Sequence, residues 1–363
     1  MLSEHMQDDS CSLPPQLSSF HKRFAIVSDT IQTKNCHCMI NSEKTSRTGY
    51  AMISVYLIIS LFRLASGCPE EALSPCSCRL IANKANEVVC KDATDIDKLQ
   101  KSLSKMNDLP IQTLQVIDSS LMFFPSIFFE GLSIEKMHLI NSTFMDLSDS
   151  ELAFTGLENS LKSLIIQRCR VYNGWAWTEL KNLKSLTWFK TLKSGLDVID
   201  SDIEDIAGLN LEVLELTQDT VSYVDEKAFS HFKNLKVLSL KANQISDVKR
   251  SMFPEPALKL TQINLSYNQI ENLPDDIFTN MPSLISLILS GNHILTIEEP
   301  AFSSVWKQLK KVDLSDNPLR CDCRMKWVVR AGFPRTTYGE CDQPSNLSEK
   351  SLDELIVDDL TYC

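Results

Sequence analysis

The sequence predicts an α/β solenoid: a curved stack of coils with a parallel sheet on the concave side and irregular or short helical segments on the convex side. Disulfide caps are expected at both ends. Three observations carry this. The segments LKVLSLKANQI, LTQINLSYNQI, LISLILSGNHI and LKKVDLSDNPL begin at Leu235, Leu260, Leu284 and Leu309, 24 or 25 residues apart. Each alternates apolar and polar residues, as a half-buried strand does. Each then places Asn243, Asn268, Asn292 or Asn317 at its ninth position, where the chain leaves the strand and a buried amide can satisfy backbone groups of neighbouring turns. Finally, eight of the twelve cysteines form two groups of four on either side of the repeats.

Taken in order, residues 1–51 are polar, aperiodic and carry Cys11, Cys36 and Cys38. They are expected to lie outside the fold, either leaving with a signal peptide or preceding a true initiator at Met52. The stretch 52–67, MISVYLIISLFRLASG, has an apolar run from Val55 to Phe62. That run is too short for a membrane span, which needs about 20 apolar residues. It suits a signal peptide, with small residues Ala65 and Gly67 before cleavage at Cys68. Residues 68–108, with Cys68, Cys76, Cys78 and Cys90, form the expected N-terminal cap.

Residues 109–319 hold nine repeats. The strand marker, the fourth consensus position, falls on Leu114, Met137, Leu164, Leu186, Leu214, Leu238, Ile263, Leu287 and Val312. Phe129, Phe229, Phe253, Phe278 and Phe302 each lie eighteen residues after the first consensus position and predict a column of buried rings. In the third repeat Glu179 stands where the others have Phe, and Trp177 is expected to fill the missing ring's place. Residues 320–363, with Cys321, Cys323, Cys341 and Cys363, form the expected C-terminal cap. A stack whose repeats touch only their neighbours needs such caps, because its ends would otherwise expose apolar cross-sections. Neither cysteine group has the paired C-x-x-C spacing of zinc knuckles. Even-numbered clusters behind a hydrophobic leader point instead to disulfides in an oxidising compartment. Spacing alone leaves three connectivities open in each group.

The consensus L-x-x-L-x-L-x-x-N-x-L resembles that of leucine-rich repeats, whose period is 20–29. CPEEALSPCSC with Cys90, and NPLRCDCRMKWVV with Cys341 and Cys363, resemble the cysteine caps of extracellular leucine-rich-repeat proteins, Trp327 matching the C-terminal cap's buried tryptophan. The long N-terminal cap spacing and irregular first repeats are most similar to an arthropod group that includes the non-catalytic subunit of the Oplophorus-type shrimp luciferase. The cap resemblance implies first-to-third and second-to-fourth pairing: Cys68–Cys78, Cys76–Cys90, Cys321–Cys341 and Cys323–Cys363. It also implies a secreted protein that binds a partner. No apolar span follows the last cap in this sequence, so no membrane anchor is expected.

A net charge of −11 makes the chain a poor candidate for nucleic acid, whose binding is driven by cationic contacts to phosphate. After the leader only His138, His231 and His293 remain, on different repeats, and no HExxH, GxSxG or phosphate-cradling glycine loop is present. No enzyme, metal or cofactor is expected. Cys169 occupies a ninth consensus position and is read as a buried, inert thiol. Asn141, Asn264 and Asn346 head N-x-[ST] sequons and are candidate glycan acceptors, Asn264 in mid-strand. On the concave sheet the register places Ile117, Ile140, Ile165 and Phe189 outward in the first half. It places mainly Ser239, Asn264, Ser266, Ser290, Asp313 and Ser315 outward in the second. The four apolar residues are the expected partner-binding anchor. A protein partner is expected, with two roles open: a stabilising non-catalytic subunit of a secreted enzyme, or a recognition protein in adhesion, matrix or innate immunity.

Overall fold

The computed structural model describes residues 67–69, 73–81, 85–150, 152–174 and 176–361. The expected extension 1–51 and all but Gly67 of the expected leader 52–67, together with Trp175 and Cys363, lie outside the described residues.

Strand β1 (Cys76–Ile81) pairs antiparallel with β2 (Ala85–Lys91), and helix α1 (Ile96–Leu103) follows. The Asp95 carboxylate caps α1 by accepting from the Lys98 N–H, and Leu99 and Leu103 bury its inner face. The chain then enters the repeats through β3 (Pro110–Ile117) and β4 (Ser120–Leu121). Next come β5 (Ser133–Ile140), β6 (Thr143–Phe144), β7 (Ser163–Gln167) and β8 (Arg170–Val171). The middle repeats carry β9 (Trp188–Leu192), β10 (Val198–Ile199), β11 (Val213–Thr217) and β12 (Tyr223–Val224). Then follow β13 (Val237–Ser239), β14 (Gln262–Asn264), β15 (Ser286–Ile288), helix α2 (Glu299–Trp306) and β16 (Lys311–Asp313). Helix α3 (Lys326–Ala331) and β17 (Thr336–Tyr338) belong to the C-terminal cap.

Twelve strands make one sheet in the order β1-β2-β3-β5-β7-β9-β11-β13-β14-β15-β16-β17, parallel from β2 onward. This is the leucine-rich-repeat solenoid anticipated from the repeats. The cap strands β2 and β17 extend the sheet at both ends, so the first and last repeats each meet a covering strand. On the far side of the ladder turn, β4, β6 and β8 form a small parallel sheet, and β10 and β12 another.

The strand markers align across the sheet as expected at eight of nine repeats, and the fourth is corrected. Leu164 pairs with Phe189, and Phe189 with Leu214, so Phe189 rather than Leu186 is the fourth marker. Phe189 is fully buried and is not an outward residue. The reason lies in the sequence LKSLTWFKTLKS. Leu186 is the first consensus position, Phe189 replaces the usual leucine at the fourth, and Thr191 replaces it at the sixth. Without an L-x-L signal, the earlier pair Leu183 and Leu186 imitates the pattern three residues too soon. Trp177 is buried in the core and meets the Phe189 ring edge-on.

The ninth position is a continuous ladder of buried polar groups. Asn268 donates through Nδ2 to the carbonyls of Leu240 and Leu265, both at 2.9 Å, and its Oδ1 accepts from the Ile245 N–H at 3.1 Å. Asn243, Asn292 and Asn317 repeat this arrangement. In the first half the same position holds Ser119, Ser142, Cys169 and Ser194, which satisfy fewer groups each, and then Asp219, whose carboxylate accepts from the Thr191 hydroxyl and from the Ser194 and Gly195 N–H groups. The residue before the ladder adopts a left-handed conformation in every repeat, from Asp118 through Asn141, Arg168, Lys193, Gln218, Ala242, Tyr267 and Gly291 to Asp316. This is how the chain leaves the strand, and only one of these nine is the glycine that the conformation favours.

Both caps are cross-linked. Disulfides join Cys68–Cys78, Cys76–Cys90 and Cys321–Cys341. Cys323 is also disulfide-bonded. Its expected partner, Cys363, lies outside the described residues. In the C-terminal cap the Trp327 ring packs against Trp306 with centroids 5.3 Å apart, and its Nε1 donates to the Ile297 carbonyl at 2.8 Å. The cap is thus tied directly to the last complete repeat.

Candidate protein-binding surface

A strand shows alternate side chains to each face, so the strands' own register decides what the concave surface presents. Ile117 and Ile140 are direct neighbours on β3 and β5 and are half-buried. Ile165 is also half-buried but stands in a different row, between His138 on β5 and Lys190 on β9. With Phe189 in the core, the four expected anchors do not form one line. Ser266 and Ser290, expected outward, are buried at the turn into the ladder, and Ser239 is buried in its strand.

The corrected register brings a different residue to the surface. Trp188, immediately before Phe189, is 40% exposed. It lies beside Ser163 on one side and Val213 on the other, and Val213 lies beside Val237. Both valines are half-buried. Three apolar side chains therefore stand side by side on β9, β11 and β13. Neighbouring parallel strands are about 4.8 Å apart, so the row spans roughly 10 Å. One row over, Lys190 Nζ meets Glu215 Oε2 at 2.6 Å, with Ile165 next in line. The result is an apolar centre bordered by a partly shielded ion pair, which is the anatomy of a small interface core with a polar rim. Trp188 could have been found by aligning the fourth repeat on Ser194 at the ladder position rather than on its leucines.

The rest of the concave face is polar. Burial first, and then the neighbouring Lys136, holds His138 below the usual histidine range against a weaker opposing pull from Glu87. Toward the C-terminal end, Tyr267 and Tyr338 are exposed beneath the ammonium groups of Lys241 and Lys311, at 5.4 and 5.5 Å from the ring centroids. The Tyr267 ring also lies over Gly291, where a side chain would collide with it. Asn141 and Asn346 are exposed, whereas Asn264 is half-buried in β14 with Oδ1 accepting from the Ser266 N–H and hydroxyl. Burial pushes the Cys169 thiol up to about 11, and Sγ donates to the Gln167 carbonyl, so it is a ladder group rather than a nucleophile. Among the described residues no group of three or more His, Cys, Asp or Glu is placed to hold a metal ion. No described helix is long and apolar enough to cross a membrane.

The leucine rich repeat family pattern matches residues 258–319. Toll-like receptor 3 of Bos taurus is 26% identical over 274 residues, which cover 68% of this chain and 29% of the receptor. Toll-like receptor 9 of Mus musculus is 27% identical over 160 residues, covering 42% of this chain and 15% of the receptor. Leucine-rich repeat-containing protein 3B of Homo sapiens is 32% identical over 119 residues, covering 27% of this chain and 44% of that protein. The chain thus spans less than half the length of these relatives. Among solved structures, a TLR13 complex with ssRNA13 superposes with TM-score 0.55 at 23% identity, over 64% of this chain and 32% of that one. A chain from a Latrophilin 3, Unc5D and FLRT2 complex superposes with TM-score 0.53 at 19% identity, over 74% of this chain and 89% of that one. At these identities the two structures speak for the fold.

Proposed function

We propose that this chain, a leucine-rich-repeat protein related to Toll-like receptors and other proteins built on the same repeat, is a recognition module. It binds a protein partner through the middle of its concave sheet. The observation that carries the reading is the row Trp188, Val213 and Val237. An exposed tryptophan backed by aliphatic neighbours and edged by an ion pair has the make-up of a binding hot spot. The relatives support recognition, since receptors stand among them. They lend nothing to the alternative of a non-catalytic subunit that stabilises or carries a secreted enzyme.

The setting we infer is extracellular. Three described disulfides and a seventh bonded cysteine, Cys323, fit an oxidising compartment, and Asn141 and Asn346 stand where glycans could be attached. The test is parallel affinity purification from the extracellular fraction with wild-type protein and Trp188→Asp. A partner whose recovery falls at least tenfold, about 1.4 kcal/mol, while the melting temperature is unchanged, supports the reading. A partner retained equally by both proteins places recognition elsewhere on the molecule.

A further inference from the structure

A second surface lies at the seam between the third and fourth repeats, on the far side of the ladder turn from the concave patch. There the small parallel sheet β4-β6-β8 stops. The carbonyls of Ser142 and Phe144 on the second repeat accept from the N–H groups of Arg170 and Tyr172 on the third. Their counterparts one repeat on are the carbonyls of Cys169 and Val171. Among the described residues no N–H of the fourth repeat reaches either, and the Val171 carbonyl is taken by Gly174 of its own loop. By the alternation of a strand, the Cys169 carbonyl and the Val171 N–H face away from β6, toward the fourth repeat, along an open edge.

That edge borders a groove of about 730 Å³, lined on its apolar side by Val171, Trp177 and Leu196. The space is real on both flanks: a Cβ added at Gly174 or Gly195 would meet nothing within 4 Å. The charges around the groove are sorted. Arg168, Arg170 and Lys193 stand on the ladder side, all exposed, and none has a carboxylate partner among the described residues; the Arg170 guanidinium lies 5.8 Å from the Tyr172 ring centroid. Further round the coil the lining turns acidic at Asp197, Asp200 and Asp202. In a chain of net charge −11, three cations with no carboxylate partner among the described residues, set beside a strand edge, form a local exception.

We propose that this groove binds an extended peptide segment by strand addition to β8, with acidic side chains of the peptide against Arg168, Arg170 and Lys193 and a basic residue toward Asp197, Asp200 and Asp202. Backbone pairing would supply affinity without sequence preference, and the sorted charges would choose which segment and which direction. A uniform polyanion fits poorly, because its far end would meet the three aspartates. The site shares no residue with the concave patch, so it stands or falls independently of the function proposed above.

The experiment pans a random dodecapeptide phage library on the full chain and on the double variant Arg168→Glu, Arg170→Glu. Both residues are exposed, so the variant is expected to keep the wild-type melting temperature. Enriched peptides should carry Asp or Glu at one end and Lys or Arg at the other. As synthetic peptides they should bind the variant at least tenfold more weakly, and they should slow hydrogen exchange at the Val171 amide. Absence of enrichment, equal binding to the variant, or an unprotected Val171 amide overturns the proposal. So does a heparin oligosaccharide or single-stranded RNA that binds this groove where the peptides do not. Should the double variant prove unstable, Asp197→Lys is the alternative: it should weaken the same peptides and favour ones whose basic end is replaced by acids.

Discussion

The rings of Trp177 and Phe189 meet edge-on with their centroids 6.1 Å apart, one reaching in from the convex side and the other from the concave strand. Edge-to-face aromatic pairs add about 0.5–1.5 kcal/mol beyond area burial. Phe189 stands in the column of marker residues between Leu164 and Leu214. Phe189→Ala should therefore cost about 3–5 kcal/mol in urea unfolding, as large aromatic truncations in cores do. Trp188→Ala, one residue away on the opposite face, should move the midpoint little. Equal midpoints for the two variants would return Phe189 to the surface and dismantle the corrected register.

That pair also shows how much of the molecule could be read in advance. The solenoid, the ladder and the caps were legible because they repeat: four copies of one consensus fix period, strand and turn at once. The binding face was not, because it depends on register, and a slip of three residues exchanges Phe189 for Trp188 at the surface. Thr191 is the cause. Its hydroxyl donates to the buried Asp219 carboxylate, a polar pairing across two repeats that erases the local leucine signal. The seam groove was equally hidden, since it arises from two coils failing to pair rather than from any motif.

The ladder should show its own hierarchy. Asn268→Ala leaves the Leu240 and Leu265 carbonyls and the Ile245 N–H without their partner in a buried turn. A cost of about 2–3 kcal/mol is expected. Ser119→Ala, which removes a smaller set of bonds, should cost about 1 kcal/mol. Denaturant melts of the two single variants check the order, and a reversed order would show that the second half does not depend on its amides.

Burial is the main cause that pushes the Glu179 carboxyl from its ordinary 4.5 to about 7, with Asp146 adding to it and the Ala176 N–H opposing. The folded state thus holds this proton more tightly than the unfolded chain does. The associated stability is fully present below about pH 4.5 and is lost as pH rises toward 7. Glu179→Gln keeps an acceptor for the Ala176 N–H and cannot ionise. It should melt close to wild type at pH 4.5 and above it at pH 8. Contributions from Asp219, which burial also pushes up, cancel in the comparison because both proteins share them. A temperature difference that does not change with pH would remove Glu179 as the titrating group.

The C-terminal cap offers a covalent test. Cys321–Cys341 closes a loop with sequence separation 20, for which chain entropy suggests about 3 kcal/mol. Cys341→Ser should lower stability by roughly that amount. Non-reducing peptide mapping should find Cys323 joined to Cys363; finding Cys363 as a free thiol would disprove that pairing.

The ladder has a direction. Asn243 reaches back to the Leu216 carbonyl and the Val221 N–H, and Asn268, Asn292 and Asn317 each do the same to the repeat before them. Ser119 and Ser142 accept from N–H groups of the preceding coil, and Ser194 donates to the Ile166 carbonyl there. Every coil thus carries the tie that fastens it to the one already made. In a chain emerging from its N-terminus, the turn groups of each coil are therefore satisfied only when the next coil supplies its ladder residue. Unwinding is correspondingly lopsided. Peeling away the last coil leaves the Leu289 carbonyl and the Ile294 N–H of the coil before it without Asn317, whereas stripping the first leaves the next coil's side chain facing nothing. The two ends of the stack are chemically unlike, with backbone groups waiting for a partner at one and a side chain at the other.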